Sequence, residues 1–239
     1  MIAADGRVVM ISGANRGIGL AVAKTLYRAG FNLSLGARNV DSFNEEVGGW
    51  STSRVMTCRY DAIDKSTHSA WINQTIEKFG RIDGLVNNAG IMKNVSVNDS
   101  EDNEKSLDLM WAVNVKAPLS MTRLALPHLR KSGAGRVINV ASLAGKAVYG
   151  SAVGYSMTKF AAVALSHATR HGGWEDGVRC TALCPGYVAT DMTSSIESIP
   201  ADKMISAEDL AELVKTLMSL SNTASVAELV VNCRPDLVG

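Results

Sequence analysis

Short apolar runs alternate with amphipathic stretches along nearly the whole chain. Residues 7–12 form the first run, broken by Gly13, as expected of a strand buried on both faces. Leu20, Val22, Ala23, Leu26 and Tyr27 then follow at helical spacing before Gly30. Residues 31–37 and 54–60 read as the second and third strands, with helix-like stretches at 41–49 and 64–79. The fourth strand, 82–86, runs into Asn87-Asn88-Ala89-Gly90. A polar, acidic patch at 98–108 precedes a long helical stretch with Asn114 near its beginning and Pro118 and Pro127 marking turns or kinks. The fifth strand, 136–141, delivers Ser142 at its carboxyl end, and a helix over 154–171 carries Tyr155 and Lys159. A sixth strand at 178–183 ends at Pro185-Gly186. The segment 187–204 lacks periodicity and reads as a loop or lid, and a helix at 206–221 and a last strand at 228–232 close the chain. Strands alternating with helices predict an α/β protein with a parallel sheet and right-handed crossovers. No repeat, low-complexity tract or linker interrupts the pattern, so residues 1–239 read as one domain.

Composition narrows the function classes. A hydrophobic content of 46% is ample for a large core. With 24 Lys+Arg against 23 Asp+Glu the formal charge is +1, which argues against nucleic acid, an anionic membrane surface or a polyanionic substrate. A small-molecule partner is expected. The sequence shows no charged leader followed by an apolar run and no apolar stretch long enough to span a membrane, so the expectation is a soluble, cytoplasmic protein. Cys58, Cys180, Cys184 and Cys233 lack paired CxxC spacing, and Cys180 and Cys184 read as packed thiols in a reduced compartment. His68, His128, His167 and His171 share no motif, and no metal site is expected.

Two stretches carry chemistry. Gly13-Ala14-Asn15-Arg16-Gly17-Ile18-Gly19 sits between a strand and a helix, the order that a phosphate-binding βα unit needs. Its glycines let the backbone approach a pyrophosphate, and the N–H groups and dipole of the new helix favour negative charge. The spacing is G-x3-G-x-G rather than the commoner G-x-G-x-x-G, and three glycines alone would also suit a tight turn. Tyr155 and Lys159 lie four residues apart, which stacks them on one helical face. An ammonium beside a phenol, whose ordinary pKa is about 10, favours the ionised form and moves it toward acid/base work. Tyr-x3-Lys also occurs by chance on many helices, as a half-buried aromatic beside a snorkelling lysine.

Taken together, Ser12 to Gly19, Asp61, Asn87-Asn88-Ala89-Gly90, Asn114 with Ser142, Tyr155 and Lys159, and Pro185-Gly186 resemble, in order, the motifs of the short-chain dehydrogenase/reductase family. The resemblance covers nearly the whole chain. It implies a Rossmann-like, doubly wound parallel sheet of strand order 3-2-1-4-5-6-7 and hydride transfer with a nicotinamide cofactor. By this resemblance the catalytic set is Asn114, Ser142, Tyr155 and Lys159. Tyr155 would exchange a proton with the substrate oxygen, Ser142 would hydrogen-bond that oxygen, Lys159 would tune Tyr155 and hold the nicotinamide ribose, and Asn114 would anchor a water. The cofactor set is Gly13, Asn15, Arg16, Gly17, Ile18, Gly19, Arg38, Asp61, Asn88, Ala89, Gly90, Tyr155, Lys159, Pro185, Gly186, Val188 and Thr190. Asp61 would contact the adenine ring, or else merely cap the following helix.

The end of the second strand reads Leu35-Gly36-Ala37-Arg38, with no acid to bond a ribose diol. Arg38 and Arg16 instead offer guanidinium groups to a phosphate, so NADP(H) is expected over NAD(H). Leu143, Val148, Tyr149, Tyr187 and Met192 should line a mostly apolar substrate pocket, suited to a carbonyl or secondary alcohol, while Lys93 and Lys146 leave room for an acidic group. A homodimer or homotetramer is expected, although the C-terminal segment departs from the pattern that supports tetramers in many relatives. Two other readings stay open: a cofactor-binding sensor or scaffold without chemistry, which should lack one of Ser142, Tyr155 and Lys159, and a methyltransferase on a similar sheet, which would not need them.

Overall fold

The computed structural model of the chain describes residues 1–99 and 103–235. Seven parallel strands form one sheet in the order β3-β2-β1-β4-β5-β6-β7: β1 Val8–Ser12, β2 Asn32–Ala37, β3 Val55–Arg59, β4 Gly84–Asn87, β5 Arg136–Val140, β6 Arg179–Pro185 and β7 Glu228–Val231. The helices are α1 Gly17–Arg28, α2 Asn44–Val47, α3 Lys65–Phe79, α4 Glu104–Trp111, α5 Ala117–Lys131, α6 Val153–Gly172 and α7 Ala207–Ser219. The strand order is the doubly wound one that the family resemblance implied.

The two-sided character of β1 follows from strand alternation. Val9 and Ile11 join a core with Leu33 and Leu35 of β2, Val22 and Leu26 of α1, and Leu210 and Val214 of α7. Met10 faces the other way, into a second core with Trp71 of α3, Met121 and Leu129 of α5, and Val137 of β5. All five residues of β1 are buried, so no polar alternation was available to the sequence, and only length and flanking glycine mark it as a strand. A third, small cluster of Ala141, Ala162, Val163, Ala182 and Cys184 lies where α6 meets β5 and β6.

Several boundaries differ from the sequence expectation. The helix expected at 41–49 is a 3-10 turn, Val40–Phe43, followed by the single-turn α2. The long helix begins at Glu104, inside the polar patch, of which residues 100–102 lie outside the described residues. Asn114 is therefore not near its beginning but mid-way, on a π-helical turn, Ala112–Lys116, which joins α4 to α5. Such a turn inserts one extra residue and re-aims side chains without ending the helix. Pro118 falls in the first turn of α5, where a missing N–H is tolerated, and the helix continues through Pro127 to Lys131. Asp61 does not cap α3; Asp64 does, accepting from Ser66 N at 3.1 Å. Within 187–204 two 3-10 turns form, Asp191–Thr193 and Ala201–Lys203.

In a parallel sheet with antiparallel crossover helices, the amino ends of strands meet the carboxyl ends of helices. Arg7, Arg136 and Arg179 occupy that edge, each buried, and give their N–H groups mainly to carbonyls. Arg7 donates to Met218 O, Arg136 to Gly177 O and Leu220 O, and Arg179 to Trp174 O and Asn222 O. The carbonyls include those at or just past the ends of α6 and α7, where cations complement the helix dipole. Burial lowers the Arg136 guanidinium to about 10, with the charges of Arg7 and Arg179 acting in the same direction. Asp83 stands beside them, fully buried; burial alone would raise its carboxyl, but hydrogen bonds from Arg81, Ser132 and the Val8 N–H hold it below the ordinary range.

His68 is buried on α3, with Nδ1 3.0 Å from Ser120 Oγ and Nε2 3.1 Å from Asp61 O. A carbonyl only accepts, so Nε2 donates and Nδ1 takes the serine proton, a neutral imidazole. Burial pulls its pKa below the ordinary value. The unfolded chain then binds the proton first as pH falls, so stability present above about pH 6.5 is lost on acidification below it. Urea unfolding compared at about pH 7.5 and about pH 5.5 should show this loss, and His68→Gln should flatten it. An equally steep dependence in the variant would remove His68 as its source.

Candidate active site

The carboxyl edge of the sheet gathers the sequence motifs. Gly13 and Gly17 have φ of +63° and +51°, a left-handed region that side chains disfavour. α1 then starts from extended Arg16 with no side-chain cap and no acidic residue in its first turn. Its first N–H groups are left without helical carbonyls and point out at the edge, a donor set suited to an anion. Behind the turn, a Cβ on Gly19 would run into Gly13 O and reach 2.5 Å from Asn88 Nδ2. That amide donates to Ser12 O at 2.9 Å and to Gly13 O at 3.1 Å. Ser12 Oγ in turn accepts from the N–H groups of Asn88 and Ala89, each at 3.0 Å. The turns after β1 and β4 are thereby sewn together, so Asn88 and Ala89 act on the glycine turn from behind. Ser12 opens the glycine motif in the sequence, but its role in joining the two turns had only a polar residue ending an apolar strand as its signal.

Ser142 is extended and caps the 3-10 turn Leu143–Gly145, accepting from Ala144 N at 3.1 Å. Its hydroxyl donates weakly to Pro185 O at 3.5 Å and stands near enough to the Tyr155 phenol to favour the phenol's ionised form. Lys159 is buried, donates to Val140 O at 2.8 Å, and holds its Nζ 5.5 Å from the Tyr155 ring centroid. Asn114 grips Ile91 through both groups, accepting from its N–H at 2.9 Å and donating to its carbonyl at 2.8 Å. It also donates to Thr158 Oγ1 at 3.1 Å, which donates to Tyr155 O at 2.8 Å. Thr158 thus ties the π-helical turn to the Tyr155 turn of α6, a role with no signal of its own in the sequence. A Cβ on Gly90 would stand 3.4 Å from Asn114 Oδ1 and 3.7 Å from Lys159 Nζ, in ordinary contact, so Gly90 borders both side chains.

Electrostatically, burial dominates. It pushes the Tyr155 phenol up to about 12, with the nearby Ser142 hydroxyl acting in the opposite direction. It pulls the Lys159 amine down to about 8. Burial therefore opposes the expected lowering of the phenol by Lys159. Tyr155 is a protonated phenol at neutral pH, able to give a proton to an oxygen.

The remaining residues fall around this centre. Arg38 is exposed just past β2 and forms no ion pair among the described residues. Arg16 is paired with Asp191, Nη1 to Oδ2 at 3.0 Å, both side chains exposed. Asp61 accepts from Ile63 N at 3.2 Å in the turn after β3. Pro185 ends β6, and Gly186 N donates to Val231 O at 2.8 Å. Val188 is buried and bridges to Ile205, so its side chain is not offered to a ligand. Thr190 lies on the glycine turn, its methyl 3.3 Å from the position of a Cβ on Gly17. Asn15 and Ile18 are half-buried in that turn. Of the expected pocket residues, Val148 and Met192 are exposed, Tyr149 and Tyr187 half-buried, but Leu143 is buried against Gly186 rather than lining the site. A cleft of about 340 Å³ lies within 189–204, lined by Thr190, Ile196, Ile199 and Met204 but by none of Ser142, Tyr155 and Lys159. Among the described residues no group of three or more His, Cys, Asp or Glu could hold a metal, and no helix is long and apolar enough to cross a membrane.

Residues 7–200 match the short chain dehydrogenase family. An agropine synthesis reductase of Rhizobium rhizogenes is 42% identical over 231 residues, which are 97% of this chain and 53% of that protein. The chain thus spans about half the length of this relative. Among solved structures, an alcohol dehydrogenase from the archaeon Thermococcus sibiricus, complexed with 5-hydroxy-NADP, superposes with a TM-score of 0.85 at 29% identity, covering 94% of this chain and 95% of that one. A 3-ketoacyl-(acyl-carrier-protein) reductase from Brucella melitensis, complexed with NADH, gives a TM-score of 0.87 at 26% identity, covering 96% and 98%.

The contact behind Gly19 is directly testable. Gly19→Ala should destabilise the fold by about 1–3 kcal/mol, since the carbonyl it meets is backbone and the strand beneath is buried. Urea denaturation measures this; an unchanged midpoint would show that the turn has room to shift.

Proposed function

Because the chain belongs to the short chain dehydrogenase family, we propose that it transfers a hydride between NADP(H) and a carbonyl or secondary alcohol, with Tyr155 as general acid/base. The chain is an oxidoreductase of this family, and a nicotinamide cofactor is supported by relatives solved with such ligands. The observation that carries the reading is the gathering of Ser142, Tyr155 and Lys159, with Lys159 Nζ 5.5 Å from the Tyr155 ring, on the same sheet edge as the uncapped start of α1.

The residues fit the cofactor. The glycine turn and the first N–H groups of α1 would hold the pyrophosphate, and Arg38 would meet a ribose phosphate that NAD(H) lacks. Asp61 would lie at the adenine, Asn88, Ala89 and Gly90 beside the adenosine side, Lys159 at the nicotinamide ribose, and Pro185, Gly186, Thr190 and the backbone of Val188 at the carboxamide. The cofactor supplies the hydride when bound. Tyr155, protonated at rest, gives its proton to the substrate oxygen in reduction, and Ser142 donates a hydrogen bond to that oxygen as charge develops. Asn114 holds the segment after β4 against α6 and would anchor a water beside Lys159.

Val148, Met192, Tyr149 and Tyr187 suit a substrate with an apolar body. Lys146 is engaged by Glu228, which leaves Lys93 as the cation for an acidic group. Segment 187–204 would serve as the lid over a single cofactor-binding and catalytic domain. A cytoplasmic location and assembly as a homodimer or homotetramer complete the proposal; exposed Met157 and Phe160 on α6 support a subunit contact there. No observation favours a non-catalytic sensor, since Ser142, Tyr155 and Lys159 stand together.

Two variants test the assignment. In a carbonyl panel followed by NADPH absorbance, Tyr155→Phe should lower kcat by about 10²–10⁴-fold while cofactor binding stays within about threefold. Full activity in the variant would end the acid/base role. Arg38→Asp should weaken NADPH binding by about tenfold or more relative to NADH, in keeping with one lost charge-assisted contact. Tighter binding of NADH than NADPH by the unaltered protein would reject the NADP(H) preference.

A further inference from the structure

We propose that Glu228 is a positioning residue for this site: a single carboxylate that ties the Ser142 turn to α6 and so holds the Ser142 hydroxyl against Tyr155. The inference rests on the reading of Ser142 and Tyr155 as working groups. Glu228 opens the edge strand β7, and its side chain is mostly buried, at 23% exposed. One oxygen lies 2.5 Å from Lys146 Nζ and the other 2.7 Å from His167 Nε2. Lys146 ends the turn that begins at Ser142, its own N–H donating to Leu143 O at 2.8 Å. His167 sits on α6, eight residues beyond Lys159. The carboxylate therefore grips both pieces of chain that must stay in register for the Ser142–Tyr155 contact.

The surroundings explain why such a grip is needed. The turn rides directly on α6: a Cβ on Gly145 would stand 2.6 Å from Lys159 O. The apolar cluster between α6 and strands β5 and β6 contains Ala141, Ala162, Val163, Ala182 and Cys184, mostly small side chains that bury little area. The two larger clusters hold the other helices with Trp, Phe, Leu and Met. Ser142 itself is loosely aimed, since its contact with Pro185 O is 3.5 Å, at the outer limit of a hydrogen bond. Its direction is set by where the turn sits, and the turn is held by Lys146. Hydrogen bonds from Lys146 and His167 keep the Glu228 carboxyl below the ordinary range.

The test compares Glu228→Ala, Glu228→Gln, Lys146→Met and the Lys146→Met/Glu228→Gln double variant with the unaltered protein. Glu212→Gln, which breaks an exposed pair with Lys215 on α7, is the control. Amide exchange by mass spectrometry over 142–149 should be at least about tenfold faster in Glu228→Ala and unchanged in the control. With a carbonyl from the panel, kcat should fall about tenfold while the KM for NADPH stays within about twofold, and the double variant should be no worse than either single. Unchanged exchange overturns the proposal, and so does faster exchange with unchanged kcat, which would make the cluster a cover for the small core alone. If Glu228→Ala does not fold, Glu228→Gln, which keeps the shape and removes the charge, is judged by the same criteria. If the unaltered protein turns over no carbonyl or alcohol, the proposed function fails, and exchange alone decides whether Glu228 clamps the turn.

Discussion

The absence of a side chain at Gly19 is the constraint on which the site depends. It lets α1 begin against the carbonyl of Gly13 and the amide of Asn88, close enough that no Cβ fits. Because α1 starts there, its free N–H groups stand at the carboxyl edge of β1 rather than above it. The same approach lets Asn88 reach back to Ser12 and Gly13, which locks the turn after β4 to the turn after β1. Gly90 then follows beside both Asn114 and Lys159. A steric allowance of one methyl group thus propagates from the first βα turn to the base of α6.

The two edges of the sheet solve opposite electrostatic problems. At the amino edge, helix carboxyl ends present carbonyls in a nearly dry environment, and three buried arginines meet them. Guanidinium is suited to this because it has five donors, stays charged when desolvated and satisfies several carbonyls at once. At the carboxyl edge the helix start α1 is left uncapped, and cations stand near it without filling it: Arg38 is exposed, and Arg16 is turned to Asp191. One edge is closed by its own residues. The other is left open to a negatively charged visitor.

Burial also sets the working state of the Tyr155 centre. A phenol and an amine one helical turn apart attract in the charged forms, but both sit in a region where charging is expensive. The phenol therefore keeps its proton and the amine holds its own weakly. Hydrogen bonds fix the geometry instead, from Lys159 to Val140 O and from Asn114 through Thr158 to Tyr155 O. Such a centre is positioned before it is ionised.

Much of this was legible along the chain. The alternation of apolar runs and helical stretches determined a parallel α/β sheet, because only a strand covered on both faces tolerates unbroken Val, Ile and Leu. The G-x3-G-x-G turn, Ser142 and the Tyr155–Lys159 spacing marked the carboxyl edge as the candidate site, since each is a local pattern. What the tertiary structure decided was longer in range. It placed Asn114 on a π-helical turn within a continuous helix, buried Leu143 beneath Gly186, turned Arg16 to Asp191, and brought Glu228 to Lys146 across 82 residues of sequence. Local spacing carries information about which residues share a turn or a face. Desolvation and long-range hydrogen bonding depend on which segments the sheet makes neighbours, and so only the assembled chain settles them.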